Sequence, residues 1–163
     1  MAVIEIVAAL ADNRVIGYQG RMPWHLAEDL RHFRQLTLGH TVLMGRRTFE
    51  AIGKILPGRR NLVLSRRGQL PAVAGAGPEL VSGPEAACEL AGEGKLMVAG
   101  GGEVYTLFLP RAAVLHLTRI HIRPEGDTFF PEWQDYPFEL AERECCCSAD
   151  GSLHYDFETW RRR

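Results

Sequence analysis

Strand-like and helical runs alternate through the first two thirds of this chain, and that alternation constrains the fold more than any other feature. Strand-like runs occupy 3–10, 41–44, 61–65, 79–81, 96–99 and 114–122. Between them lie helical patterns at 26–37, 48–54, 84–91 and 103–109, the last stopped by Pro110. Ser82 with Glu85 three residues on has the form of a capping box, and Pro84 suits a first helical turn. Such alternation demands a largely parallel sheet covered by helices on both faces. The final stretch differs: 138–147 and 153–160 are strand-like runs joined around Ala149-Asp150-Gly151-Ser152, which reads as a hairpin. The expected fold is α/β, a mixed sheet with an antiparallel end. The Gly/Pro/Ala-rich stretch 66–78 reads as a surface loop within a single domain spanning 1–163.

Composition narrows the function. The chain has 163 residues, 46% hydrophobic and 24% charged, which excludes disordered and fibrous classes. The apolar run 6–11 falls far short of the ~18 residues of a membrane helix. Glu5 interrupts the first apolar stretch and no basic start precedes it, so the N-terminus does not read as a signal peptide. The expectation is a cytoplasmic protein with no membrane partner. Nineteen Lys and Arg balance 20 Asp and Glu, which argues against a general nucleic-acid binder. Seventeen of the 19 are Arg, whose guanidinium fork grips phosphate and carboxylate, so their placement matters more than their number. The closing Arg161-Arg162-Arg163 reads as a frayed, solvated tail. The four cysteines, Cys88 and Cys145 to Cys147, show no Cys-x-x-Cys or metal spacing. They read as thiols in a reducing compartment, and no metal site is expected.

Several segments carry chemistry. Leu26, Leu30, Phe33 and Thr37 set the inward face of the first helix. Asp29 lies about 70° from the middle of that stripe and Glu28 about 170° away. Asp29 therefore leans toward the apolar side and Glu28 toward water. A carboxylate on the rim of an apolar cleft needs a partner, although an acid in a first helical turn is also a common structural feature. Upstream, residues 13–24 form a long loop after the first strand, at the edge where ligands of α/β sheets bind. Two glycines would let it move and Trp24 would shield a site from water. Gly45-Arg46-Arg47-Thr48 follows a strand and opens a helix, a phosphate-type arrangement. Ser65-Arg66-Arg67 ends the next strand, so two basic clusters stand on consecutive strand ends. Gly100-Gly101-Gly102 allows close backbone approach to a phosphate chain. It is neither Gly-x-Gly-x-x-Gly nor a P-loop, and a plain tight turn explains it as well. Arg59 and Arg60 form another basic pair near this edge. Thr118, in an inward-reading strand, has the hydroxyl to bond a buried carboxylate. The six histidines form no triad with Ser or Cys and read as solvated or satisfied.

Taken in order, the most specific segments are Val15-Ile16-Gly17, Met22-Pro23-Trp24 with Asp29 five residues on, and Met44-Gly45-Arg46-Arg47-Thr48-Phe49-Glu50. Leu56-Pro57-Gly58-Arg59, the triple glycine before Val104-Tyr105, and Glu125-Gly126-Asp127-Thr128 complete them. Together they resemble dihydrofolate reductase of the bacterial type, over nearly the whole chain. The resemblance implies a mostly parallel eight-stranded mixed sheet, antiparallel at its C-terminal edge and flanked by four helices. It implies NADPH-dependent reduction of 7,8-dihydrofolate to tetrahydrofolate, in support of one-carbon metabolism. The protein would be a monomer by default, with antifolates as inhibitors.

By the same resemblance, Asp29 is the active-site acid, oriented by Thr118, with Trp24 holding an ordered water. A dihydropterin presents an amino group and a ring N–H side by side, and a carboxylate accepts both. Leu30, Phe33, Ile52 and Leu56 would wall the substrate, Val7 would meet the pterin through its backbone, and Arg59 would fork onto the glutamate α-carboxylate. Arg46, Ser65 and Arg66 would form the 2′-phosphate site. Gly45, Arg47 and Thr48 at one helix start, and Gly101, Gly102, Glu103, Val104 and Tyr105 at another, would hold the pyrophosphate. Ala9, Ile16, Gly17, Gly20 and Met22 would close over the nicotinamide, braced through Asp127. Three residues depart from the family pattern: Ala99 in place of a larger side chain, Glu103 where basic residues are common, and His116 for a frequent Tyr. A reductase of a riboflavin precursor shares the fold but would not carry Trp24, Asp29 and Arg59 together. A non-catalytic nucleotide-binding module would not need the acid.

Overall fold

The computed structural model describes residues 1–65 and 77–163. The surface-loop reading of 66–78 therefore falls outside the described residues except at Gly77 and Pro78. The chain runs β1 (Val3–Ala11), β2 (Val15–Gly17), α1 (Ala27–Thr37), β3 (Thr41–Gly45), α2 (Arg46–Ile52), β4 (Arg60–Leu64) and β5 (Glu79–Val81). It continues with α3 (Pro84–Ala91), β6 (Lys95–Val98), α4 (Gly102–Phe108), a 3-10 turn (Leu109–Arg111), β7 (Val114–Ile120), β8 (Thr128–Phe129), β9 (Phe138–Cys147) and β10 (His154–Arg162). Eight strands form one sheet in the order β5-β4-β3-β6-β1-β7-β10-β9. All pairings from β5 to β7 are parallel, and β10 lies antiparallel to both β7 and β9. The expected mixed sheet with an antiparallel C-terminal end is what forms.

Both faces of the sheet are covered, for the reason the alternation implied. Along β1, Ile4, Ile6, Ala8 and Leu10 enter one core with Val104, Phe108 and Ala87 from α4 and α3. Val7 enters the other with Val42, Met44, Val63 and Met97, closed by Phe33 and Leu36 of α1 and Phe49 of α2. Successive strand side chains point to opposite faces, so a parallel strand covered on both sides must be apolar throughout. No described helix is long and apolar enough to cross a membrane.

Several local readings are corrected. Ser82 does not cap α3: its N-cap is Gly83, with no side-chain cap bond, and Glu85 instead pairs with Arg111 at 2.6 Å. An ion partner across the fold outcompeted the reciprocal bond that the local spacing offered. The α-helix does stop ahead of Pro110, at Phe108, and Pro110 sits in a single 3-10 turn that follows, where a missing N–H costs little. Residues 13–24 are not a plain loop. β2 pairs antiparallel with β8, a two-residue strand too short to register as periodicity. A Cβ on Gly126 would overlap the Val15 side chain, so the segment before β8 passes β2 because that residue is glycine. Leu30 is 53% exposed and does not pack into the core; Leu36 packs there with Phe33 instead. Glu28 does not stand free in water, since its side chain is 23% exposed and lies 3.7 Å from Arg31.

The arginine tail is ordered, contrary to the solvated-tail reading. Arg161 and Arg162 belong to β10. Arg162 donates to the carbonyls of Ala112, Leu109 and Pro110 at 2.8–3.2 Å, and its guanidinium lies over the Phe138 ring. Replacing Arg162 by Ala is expected to cost about 2 kcal/mol, or roughly 4–8 °C in Tm. A shift below about 1 °C in thermal denaturation would return it to the solvated surface. Histidines are satisfied as expected: His121 lies 3.1 Å from both Asp12 and Asp156, one carboxylate at each ring nitrogen.

Candidate active site

Asp29 sits in the first turn of α1, where the helix N-terminus favours a negative charge. The chain enters through Pro23, Trp24 and the buried Leu26, which packs with Ile120 and Tyr155. This contact turns the start of α1 over β7. Thr118 Oγ1 then donates to Asp29 Oδ1 at 2.6 Å. Burial pushes the Asp29 carboxyl above its ordinary value, and the Thr118 bond offsets part of that rise. Burial and the Asp29 charge together hold the Tyr105 phenol protonated, and its hydroxyl donates to the Val7 carbonyl at 2.8 Å. Trp24 packs against the same small core, and its Nε1 is buried without a hydrogen-bond partner among the described residues. Asp29, Thr118, Trp24, Val7 and Tyr105 thus converge from α1, β7, the loop after β2, β1 and α4. The side chain of Tyr105 belongs to this end of the cleft, while its backbone N–H bonds the Gly101 carbonyl at the glycine turn.

The walls follow from the next elements. Leu56 is buried beside Phe33, Ile52 is 37% exposed, and Leu30 is more open still. Arg59 is anchored by Nη1 to Thr37 Oγ1 at 3.1 Å and by Nε to the Pro57 carbonyl at 2.9 Å. Burial and the neighbouring Arg34 charge depress its affinity for a proton, which marks the spot as attractive to an anion. Asn61 was missed by the sequence reading. It is buried, accepts from the Leu56 N–H at 2.8 Å and donates to the carbonyls of Leu56 and Arg59. It therefore sets the loop that carries Leu56 and Arg59. Nothing in its neighbourhood pattern reveals this, because the bonds go to backbone.

At the other end, two helix starts abut. Gly45 N–H bonds the Gly100 carbonyl at 2.8 Å. A Cβ on Gly101 would lie 3.5 Å from Thr48 Oγ1. A Cβ on Gly102 would come within 3.2 Å of the Phe129 carbonyl and Thr128, with Ile16 beyond. Arg46 Nε is paired with Glu50 at 2.8 Å, Arg47 is exposed, and Ser65 is buried at the end of β4. Glu103 is exposed on α4, Val104 is buried against Gly45, and Ala9 is half-buried. Arg66 lies outside the described residues. The loop carrying Gly17, Gly20 and Met22 is bridged at Tyr18 and Arg21, with Met22 half exposed. Asp127 braces it: Gln19 N–H donates to the Asp127 carboxylate at 2.9 Å, and Asp127 N–H to the Gly17 carbonyl at 3.0 Å.

This geometry has counterparts among known proteins. The sequence model of the family described as dihydrofolate reductase matches residues 3–162. A dihydrofolate reductase type 3 from Salmonella typhimurium is 47% identical over 141 residues, covering 86% of this chain and 85% of that protein. Dihydrofolate reductase HdrB of Haloferax volcanii is 43% identical, covering 97% of this chain and 82% of its own. Among solved structures, dihydrofolate reductase from Enterococcus faecalis complexed with NADP(H) and RAB-propyl superposes with a TM-score of 0.87 at 32% identity, over 99% of this chain and 96% of that one. With its sheet order, the Asp29 carboxylate bonded by Thr118 and these relatives, the chain belongs to the dihydrofolate reductase family.

Proposed function

We propose that this protein reduces 7,8-dihydrofolate to 5,6,7,8-tetrahydrofolate at the expense of NADPH, as a cytoplasmic monomer in which residues 1–163 act as one domain. The observation that carries the reading is the Asp29 carboxylate, half-buried at the cleft and held 2.6 Å from Thr118. Family membership supports the substrate and cofactor, and antifolates are expected to compete for the same cleft.

The residues present suit a nicotinamide dinucleotide phosphate. The turns at Gly45 and Gly100 to Gly102 are joined by the Gly45 N–H to Gly100 carbonyl bond, which sets the first turns of α2 and α4 side by side to receive a pyrophosphate near Arg47 and Thr48. Arg46 and Ser65, with Arg66 and Arg67 following in the chain, supply a cationic and hydroxyl set for the 2′-phosphate. Ala9, Ile16 and the braced loop 17–22 would cover the nicotinamide. When bound, NADPH supplies the hydride that adds to C6 of the pterin.

The chain's own residues do the rest. Asp29 accepts hydrogen bonds from the pterin amino group and adjacent ring N–H, with Thr118 fixing which oxygen faces the ring. The negative charge favours the proton that N5 must gain as C6 is reduced. That proton arrives through water, because the carboxylate is committed to the opposite side of the ring, and the buried Trp24 Nε1 is a donor suited to hold such a water. Leu56, Phe33, Leu30 and Ile52 bound the ring system, and Arg59 pairs with the glutamate α-carboxylate.

The test is NADPH oxidation with 7,8-dihydrofolate by the intact protein. Turnover is expected; NADPH binding without turnover would overturn the reading in favour of a non-catalytic nucleotide-binding module. A companion variant tests the cofactor end. Arg46→Ala is expected to weaken NADPH by roughly tenfold, the scale of one charge-assisted phosphate contact, while changing NADH by less than about twofold. Equal losses for the two cofactors would show that Arg46 does not meet the 2′-phosphate.

A further inference from the structure

Glu5 is a carboxylate inside the sheet. It lies in β1 between Ile4 and Ile6, on the face it shares with Val7, and is 5% exposed. Both of its oxygens are engaged, Oε1 by His116 Nε2 at 2.7 Å and Oε2 by Lys95 Nζ at 3.3 Å. An ionised carboxylate only accepts, so His116 Nε2 carries the proton of the shorter bond. Burial pushes the Glu5 carboxyl up, but the bonds and charges of His116 and Lys95 outweigh it and hold the group below its ordinary value. One carboxylate thereby ties β6, β1 and β7, three strands adjacent in the sheet. An apolar pair would fill this space without the desolvation cost, so stability alone is a poor reason for it.

The residues that follow on the same face of these strands are Val7 on β1 and Thr118 on β7. Val7 is the register partner of His116, and its carbonyl accepts the Tyr105 hydroxyl. Thr118 donates to Asp29. From above, α1 contributes His32, one turn beyond Asp29 and stacked on Phe157 at 3.9 Å. Burial and the His116 charge disfavour protonation of His32, with Glu144 of β9 acting in the opposite sense.

We propose that His116 is a positioning residue for the dihydrofolate end of the site. Its bond to Glu5 sets β1 against β7, so that the Val7 carbonyl and the Thr118 hydroxyl stand where the pterin and Asp29 require them. The inference rests on the reductase reading above. A small displacement of these two groups weakens substrate binding before it affects the nicotinamide end, which shares only Ala9 with these strands and otherwise rests on β2 and the loop 17–22.

The experiment compares His116→Phe, which keeps a ring but loses the donor, with His116→Gln, whose amide restores one. For His116→Phe, KM for dihydrofolate is expected to rise about fivefold, with kcat and the Kd of NADPH each within about twofold. His116→Gln is expected to recover most of that loss, because its amide nitrogen reaches the same carboxylate. Should His116→Phe fail to fold around a carboxylate left with Lys95 alone, Glu5→Leu combined with His116→Phe carries the same KM readout. An unchanged KM in a folded variant, a loss shared equally by NADPH, or no rescue by Gln would each overturn the proposal. Absence of turnover in the intact protein would instead overturn the reductase reading, and this inference with it.

Discussion

Asp29→Asn is expected to cut dihydrofolate reduction at pH 7 by roughly 10²- to 10⁴-fold, the range of a lost acid–base group, while stabilising the fold. The first effect follows from charge: Asn still accepts one bond, but it cannot favour a proton on the substrate ring. The deficit is expected to shrink as pH falls, because solvent then protonates the substrate directly. Stability moves the other way. Burial holds the Asp29 carboxyl above its ordinary value, with the Thr118 bond offsetting part of the rise. The folded state therefore keeps its proton at pH values where the unfolded chain has released it. This contribution to stability is fully present below the unfolded carboxylate value and is lost as pH rises through the folded one. At pH 7 the cost is complete, and Asn removes it while leaving Thr118 an acceptor. The variant is expected to melt a few degrees higher at pH 7, the scale on which ~1 kcal/mol moves a domain of this size. Near pH 3 the advantage is expected to vanish. Wild-type rates across pH would remove Asp29 from the chemistry, and a lower Tm at pH 7 would contradict the burial argument.

Arg59→Gln is expected to raise KM for dihydrofolate by roughly 10- to 100-fold with little change in kcat, as for a lost bond to a charged group. The guanidinium is held by Thr37 and by the Pro57 carbonyl, beside a second cation in Arg34. Such a fork binds a planar carboxylate at little ordering cost. Its expected partner, the glutamate α-carboxylate, is remote from the reacting ring, so it contributes equally to ground and transition states. Steady-state kinetics with a dihydropterin lacking the glutamate provides the control, since that substrate is expected to be insensitive to the change. An equal loss for both substrates would mean that Arg59 acts through the shape of the loop that Asn61 holds.

The family's recurrent segments are local, and so they could be read along the chain. Met22-Pro23-Trp24 followed by Asp29, and Leu56-Pro57-Gly58-Arg59, each lie within a few residues and carry their chemistry with them. The same is true of the major elements: a parallel strand covered on both faces is largely apolar, and β3, β6 and, but for Glu5, β1 announce themselves by that run. Short pieces do not. β2 and β8 are three and two residues long, too brief for any period, and their pairing depends on a glycine 111 residues downstream of Val15 leaving room for it.

The alternating architecture and the family could be read along the chain, because periodicity and short motifs are properties of neighbouring residues. Which partner each polar group takes follows from the folded arrangement instead. Glu85 prefers Arg111 to the capping box, Arg162 closes on three carbonyls about 50 residues away, Asn61 holds a loop through its backbone, and Glu5 finds His116 across the sheet. Except for the Asn61 bonds, which reach backbone two and five residues away, these bonds join groups far apart in the chain. A buried donor or acceptor takes whichever partner folding brings within 3 Å or so, and that choice has no signature in local spacing.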